Sequence, residues 1–240
     1  MLLWPLAACL TLAVALAGPL WAQADTSSST AGQLWPELDV YYSLSKSARL
    51  YGIATYTIPT DNGPGSQQYG LNLDLFTPAT RLRIRQVVQG ADALAQNRAQ
   101  PLQLRLGYRY AVDFNTTTPG VEDRIILELT GRVSKPAFTL SERNGVDIRW
   151  INGAYSSRYR NRIYLEVPVN LKTYGFTPFA DVELFYSLSK GTFSKVRYEA
   201  GAQLPLLPHF TTEVYAGYET YWNTTPSHVA GAGINLVLSW

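Results

Sequence analysis

Arg158, Arg160 and Arg162 stand at every second position, Asp181 and Glu183 repeat that spacing, and Arg197 and Glu199 repeat it again. A step of two puts each set on one face of an extended strand. A two-residue turn at Lys172-Thr173 pairs Arg162 with Glu183 and Tyr164 with Asp181. A slip by two residues sets Glu166 against Asp181, like charge against like, which disfavours that register. Asp147 and Arg149 on the preceding strand reach the same belt. The expectation is a guanidinium–carboxylate network of Asp147, Arg149, Arg158, Arg160, Arg162, Asp181, Glu183, Arg197 and Glu199. Such a network either neutralises itself and holds a narrow lumen filled, or leaves local positive charge as a constriction for small anions or polar solutes.

Other chemistry finds little support. Cys9 is the single cysteine and lies in the apolar N-terminal stretch, so disulfides and Cys–metal sites are not expected. There is no phosphate loop, no metal-spaced His or Cys cluster and no basic–aromatic nucleic-acid surface, and neither cofactor nor nucleic acid is expected. A lipid A or phospholipid acyl hydrolase needs a nucleophile, a histidine and an orienting polar group near one rim. His228 has the right parity and Thr220 lies across from it, but Ser227 points the other way and no outward acid orients the ring. His209 belongs to a turn at the opposite end. Asn115-Thr-Thr and Asn223-Thr-Thr are incidental glycosylation triplets. Lys135, Arg143, Lys190 and Lys195 are read as loop or lipid-phosphate contacts.

The elements that must carry this belt are strands. From His228 to Trp240 the even positions read His, Ala, Ala, Ile, Leu, Leu, Trp, which is a period of two. The same alternation recurs over 38–44, 48–58, 69–75, 102–112, 121–133, 138–151, 158–169, 176–187, 195–206 and 210–221. Leu82 and Ile84 alternate with Arg81, Arg83 and Arg85, so 79–88 reads as a further strand. SLSKS reads as a hairpin turn and TDNGPGS as a loop. With 16 Tyr and 6 Trp but one Met, the composition favours strands over helices.

Alternation does not say which face is inside. The polar face holds many Arg, Glu and Asp, as a wet lumen tolerates, and the strands are long enough for a tilted crossing of the hydrocarbon. Large aromatics gather at strand ends: Trp150, Tyr155, Tyr159, Tyr186, Tyr221 and Trp222 toward one rim, Phe176, Phe210 and Trp240 toward the other. Trp150, Tyr159, Tyr186, Trp222, Phe210 and Trp240 are therefore expected at the membrane interface. The terminal aromatic resembles the C-terminal signal of Gram-negative outer-membrane barrels, which is read by the barrel-assembly machinery. Residues 1–24 carry no charge and end in Ala22-Gln23-Ala24, a small-x-small site for cleavage of a signal peptide. Residues 25–33 form a polar lead and 34–240 the barrel.

The runs RYRNRIYLEVPVNL (158–171) and TPFADVELFYSL (177–188) and the closing strand, with WPELDVYYSLS and LRLGYRYAVDF, resemble an uncharacterised Gram-negative family of outer-membrane barrels known only as a domain of unknown function. The likeness covers most of residues 35–240. It implies location and fold but no established activity and no catalytic residue. The expectation is an all-β, antiparallel, up-and-down transmembrane barrel of about twelve strands, preceded by a cleavable signal peptide. Its expected location is the outer membrane, with membrane lipid as a partner. Its leading function is a narrow porin-like channel for small polar solutes; a structural or lipid-interacting barrel with a plugged lumen is the alternative, ahead of the hydrolase. One conflict remains inside the count. Twelve strands place SLSKS outside and TDNGPGS in the periplasm, opposite to what their lengths suggest, whereas eleven turn the first strand round.

Overall fold

The computed structural model describes residues 30–61, 63–77, 100–114, 119–170, 175–222, 224 and 227–240. These form twelve strands and no helix: β1 (Thr30–Ser43), β2 (Ala48–Pro59), β3 (Ser66–Phe76), β4 (Leu102–Asp113), β5 (Gly120–Lys135), β6 (Phe138–Ile151), β7 (Ala154–Glu166), β8 (Val169–Asn170), β9 (Gly175–Ser187), β10 (Thr192–Leu207), β11 (Phe210–Tyr221) and β12 (His228–Ser239). β8 pairs with β9 through Val169 and Phe176, as the end of β7 interrupted at Pro168. Proline brings no N–H to a ladder, so the break falls where a bond is missing anyway. The wall thus has eleven long strands and this short extra one.

Every long strand pairs antiparallel with its neighbours in chain order, except at the seam. There β1 runs parallel to β12, from Thr30 opposite His228 to Tyr41 opposite Ser239. This pairing closes the ring, and closure leaves no sheet edge to aggregate. An odd number of long strands makes a parallel seam unavoidable, and it sends the two ends of the barrel chain to opposite rims. We call these the N-terminal rim, at Thr30 and His228, and the C-terminal rim, at Ser43 and Trp240.

Eleven long strands and the short β8 agree with the expectation of about twelve, though not strand by strand. The candidate strand at 79–88 lies outside the described residues, and the wall passes directly from β3 to β4, with Leu73 opposite Leu106 and Phe76 opposite Gln103. Eleven strands also remove the conflict over turns. The short Leu44–Ser47 turn and Trp240 now share a rim, and the 60–65 loop lies on the other. β1 begins at Thr30, within the stretch read as a polar lead.

Turns pin the registers. β6 and β7 join through Asn152-Gly153, both in the left-handed region with φ of 49° and 81°. That geometry matches the twist of a two-residue hairpin and suits Asn-Gly. It pairs Ile151 with Ala154 and carries the register down to Asp147 opposite Arg158. The expected turn at Lys172-Thr173 lies outside the described residues, but its consequence is present: Arg162 faces Glu183 and Tyr164 faces Asp181.

Burial decides which face is inside. Among the described residues the buried set holds twenty-two polar or charged residues against nine apolar ones. A soluble barrel with a dry core would reverse that ratio. The outer wall carries Leu38, Leu71, Leu106, Leu127, Leu129, Ile163 and Leu236, all exposed. A strand of about twelve residues rises ~40 Å and, tilted, stands roughly 30 Å tall, near the height of a bilayer's hydrocarbon. One polar island interrupts this face. Asn144 and Asn161 both donate to Glu142 Oε1, at 3.3 and 3.1 Å, and the Tyr159 hydroxyl donates to Asn144 Oδ1.

Candidate functional site

The lumen is the one place where the strands bring many chemically competent side chains together. Its centre is Arg160 on β7. Its guanidinium reaches Glu128 on β5 at 2.5 Å, Asp147 on β6 at 3.1 Å and Glu183 on β9 at 3.1 Å. Asp147, Glu128 and Glu183 are 0, 2 and 2 % exposed. A buried carboxylate keeps its charge only when donors surround it, and here Arg143 on β6 and Arg158 and Arg160 on β7 supply them.

The rest of the web extends outward from this point. Arg158 binds Asp147 through Nη2 at 2.6 Å, and Arg143 binds Glu183 at 3.0 Å. Arg162 faces Glu183 across the ladder, yet its guanidinium takes the diagonal partners, Asp181 at 2.6 Å and Glu199 at 3.2 Å. Arg197 holds Glu219 at 2.5 Å and Glu199 at 3.6 Å. Arg149 donates to both oxygens of Glu122, at 2.8 and 2.6 Å, and Arg124 joins it at 2.7 Å. The structure thus brings all nine belt residues named from sequence to the inner wall. Arg149 sits apart from the centre, on Glu122 rather than on Asp181 or Glu183.

Sequence reasoning missed the other half of the lumen. On β2–β4, Asp74 binds Arg49 at 2.6 Å and Arg105 at 2.6 Å. Arg49 lies over the Tyr41 ring, Tyr41 stacks on Tyr51 with centroids 4.5 Å apart, and Arg105 lies over Tyr51. This four-layer stack is a rigid inner brace. Arg143 and Lys195, read as loop or lipid contacts, point inward instead; Lys195 holds Glu219 at 2.7 Å and covers the Phe185 ring. The reason is parity: Arg143 shares a face with Asp147, and Lys195 with Arg197. Tyr221, read as an interface aromatic, also turns inward and donates to Glu219.

Toward the C-terminal rim the web leaves a chamber of about 260 Å³. One wall is acidic, with Glu37 and Asp39 from β1 and Glu213 from β11; the facing side includes Arg105, Arg132 and Arg143. Asn235 donates to Asp39 at 3.0 Å and to Glu213 at 3.1 Å, tying β12 to both neighbours. Among the described residues no group of His, Cys, Asp and Glu is placed to hold a metal ion.

The outer aromatics fall into two sets. At the N-terminal rim Trp150 packs edge-on against Tyr155, and Phe193 bridges Tyr186 and Trp222 at 5.1 and 6.2 Å. Tyr159 lies deeper, on the polar island. At the C-terminal rim Trp240 is exposed and Phe210 pairs with Leu238. His228 faces outward, stacks on Tyr218 at 5.6 Å and lies 3.4 Å from the Thr220 hydroxyl. Among the described residues no carboxylate hydrogen-bonds to it. His209 occupies the β10–β11 turn with φ of 70°.

The family described as "Protein of unknown function (DUF2490)" matches residues 32–229. No curated protein matches. Among solved structures, LpxR from Salmonella typhimurium is similar, with a TM-score of 0.49 and 10% identity, covering 83% of this chain and 86% of that one.

Proposed function

The chain belongs to that family of unknown function, and from this premise we propose that it is an outer-membrane barrel whose lumen is shut at rest by ion pairs. Small polar solutes enter the chamber from the C-terminal rim and pass only when the web around Arg160 parts. A leader ending at Ala24 carries the chain across the inner membrane, and the aromatic-ended β12 presents it to the barrel-assembly machinery. The exposed apolar wall supports lipid as its surroundings, since patches beyond a few hundred Å² are rare on soluble monomers.

The observation that carries the closed lumen is the near-complete burial of Asp147, Glu128 and Glu183 around one guanidinium. Side chains lining an open aqueous pore keep water contact; these do not. Planar-bilayer conductance tests the reading. The wild-type barrel is expected to stay silent or open in rare, brief steps, and Arg160→Ala is expected to raise the open fraction. Steady open steps from the wild type would replace this reading with a plain porin. Silence from both barrels, each folded and heat-modifiable, would leave a purely structural role.

A further inference from the structure

The ion pairs of the lumen are unevenly distributed. On β5 to β11 the carboxylates of Glu122, Glu128, Asp147, Asp181, Glu183, and Glu219 each hold an Arg or Lys. Glu37 and Asp39 on β1 and Glu213 on the neighbouring side of the ring, across β12, hold none among the described residues. Asp39 accepts from Tyr51 at 2.8 Å and from Asn235, Glu213 accepts from Asn235, and neither of these donors is charged. Arg105 and Arg162 act on this wall from a distance but are committed to Asp74 and Asp181. Arg109 leans across Gly70, and its charge reaches Glu37, yet it closes no ion pair there.

Two further features point to an occupant with N–H donors and positive charge. Asn235 is 4 % exposed, lines the chamber, and leaves its Oδ1 without a hydrogen-bond partner. Buried acceptors are nearly always satisfied, so an orphan beside three carboxylates marks a missing donor. The Tyr215 ring, stacked on Trp35 with centroids 6.3 Å apart, forms the adjoining aromatic surface, and such faces attract cations. Among the described residues no three of His, Cys, Asp and Glu are placed together to hold a metal ion.

We propose that the acidic wall of the chamber, formed by β1, β11 and β12, binds a small organic ammonium ion, with Glu37, Asp39 and Glu213 as counter-charge, Asn235 Oδ1 as acceptor and Tyr215 as the aromatic wall. The proposal rests on the reading of the lumen as a closed chamber and names the solute class it takes.

The test is calorimetric titration of the full-length barrel, folded in detergent, with ethanolamine, tetramethylammonium chloride and sodium acetate. Ethanolamine is expected to bind, tetramethylammonium, which has no N–H to offer Asn235 Oδ1, more weakly, and acetate not at all. Glu213→Gln and Glu37→Gln, each isosteric, are expected to weaken ammonium binding about tenfold, the loss of one charge-assisted contact. Ethanolamine is also expected to raise the unfolding temperature of the wild type, a readout that needs no variant. The proposal is overturned by a folded, heat-modifiable barrel that takes up neither ammonium probe, by unchanged affinity in both Gln variants, or by tighter binding of acetate. The two readings fail separately. Ammonium binding by a freely conducting barrel would sink the shut lumen and keep the site, whereas a silent, folded barrel without ammonium binding would do the reverse.

Discussion

At the scale of single residues, position in the web decides what a charge is worth. Arg160 neutralises three buried carboxylates, so Arg160→Ala leaves Glu128, Asp147 and Glu183 short of a donor each. Removing one partner of a buried pair costs about 3–5 kcal/mol. We expect a clear fall in the temperature at which the folded band is lost in heat-modifiability gels. Glu183→Ala takes the near carboxylate from Arg143, which keeps only Glu128 at 3.9 Å, and one of three from Arg160, and it is expected to lower the same temperature. An unchanged melting temperature in both would mean that the web does not hold the barrel. Lys46, in the exposed turn between β1 and β2, provides the contrast; Lys46→Ala is expected to change stability by less than ~0.5 kcal/mol.

At the scale of elements, the seam is the most demanding contact. β1 and β12 form the parallel pair, and Pro36 on β1 brings no N–H to it. The seam is filled from inside by Trp35, whose ring lies over Gly217 and Gly231; a Cβ on Gly231 would come within 2.6 Å of that ring. Gly231→Val therefore forces the indole off its seat. Overpacking of this kind costs roughly 1–3 kcal/mol, read as a lower urea midpoint for the folded barrel. Gly131→Ala is the matched control, because nothing lies within 4 Å of the Cβ it adds. Equal losses at the two glycines would show that Trp35 does not brace the seam. The alternation of β5 and β9 was legible from sequence because most of their apolar and charged residues alternate, with Ile126, Phe179 and Phe185 as inward apolar exceptions. The inward turn of Arg143 was obscured by the Asn144-Gly145 interruption in β6, even though its parity matches Asp147.

At the scale of the whole molecule, the apolar wall and the odd strand count each make a claim that can be measured. Leu127 lies midway along β5 on the outer face and is 48% exposed. Leu127→Arg is expected to destabilise the barrel in lipid vesicles by about 2–4 kcal/mol, the penalty of a cation near the bilayer midplane. Little or no loss would mean that this face does not meet acyl chains. Eleven strands place Thr30 and Trp240 at opposite rims. Epitope tags inserted before Thr30 and after Trp240 are expected to be accessible from opposite sides of a vesicle membrane. Access to both tags from one side would require an even number of crossings.

What the amino-acid order determined alone is local: which side chains share a face, that leucines and arginines take opposite faces, and the Arg162–Glu183 register. Backbone geometry imposes a period of two on any strand, and like-charge repulsion selects among neighbouring registers, so both can be read over a few residues. What only the tertiary structure decided is non-local. The direct pairing of β3 with β4, the parallel closure of β1 on β12, the diagonal choice of Asp181 by Arg162 and the unneutralised wall of Glu37, Asp39 and Glu213 depend on strands far apart in the chain. Ring closure fixes which of those distant faces meet across the lumen, and no repeat within a single strand records it.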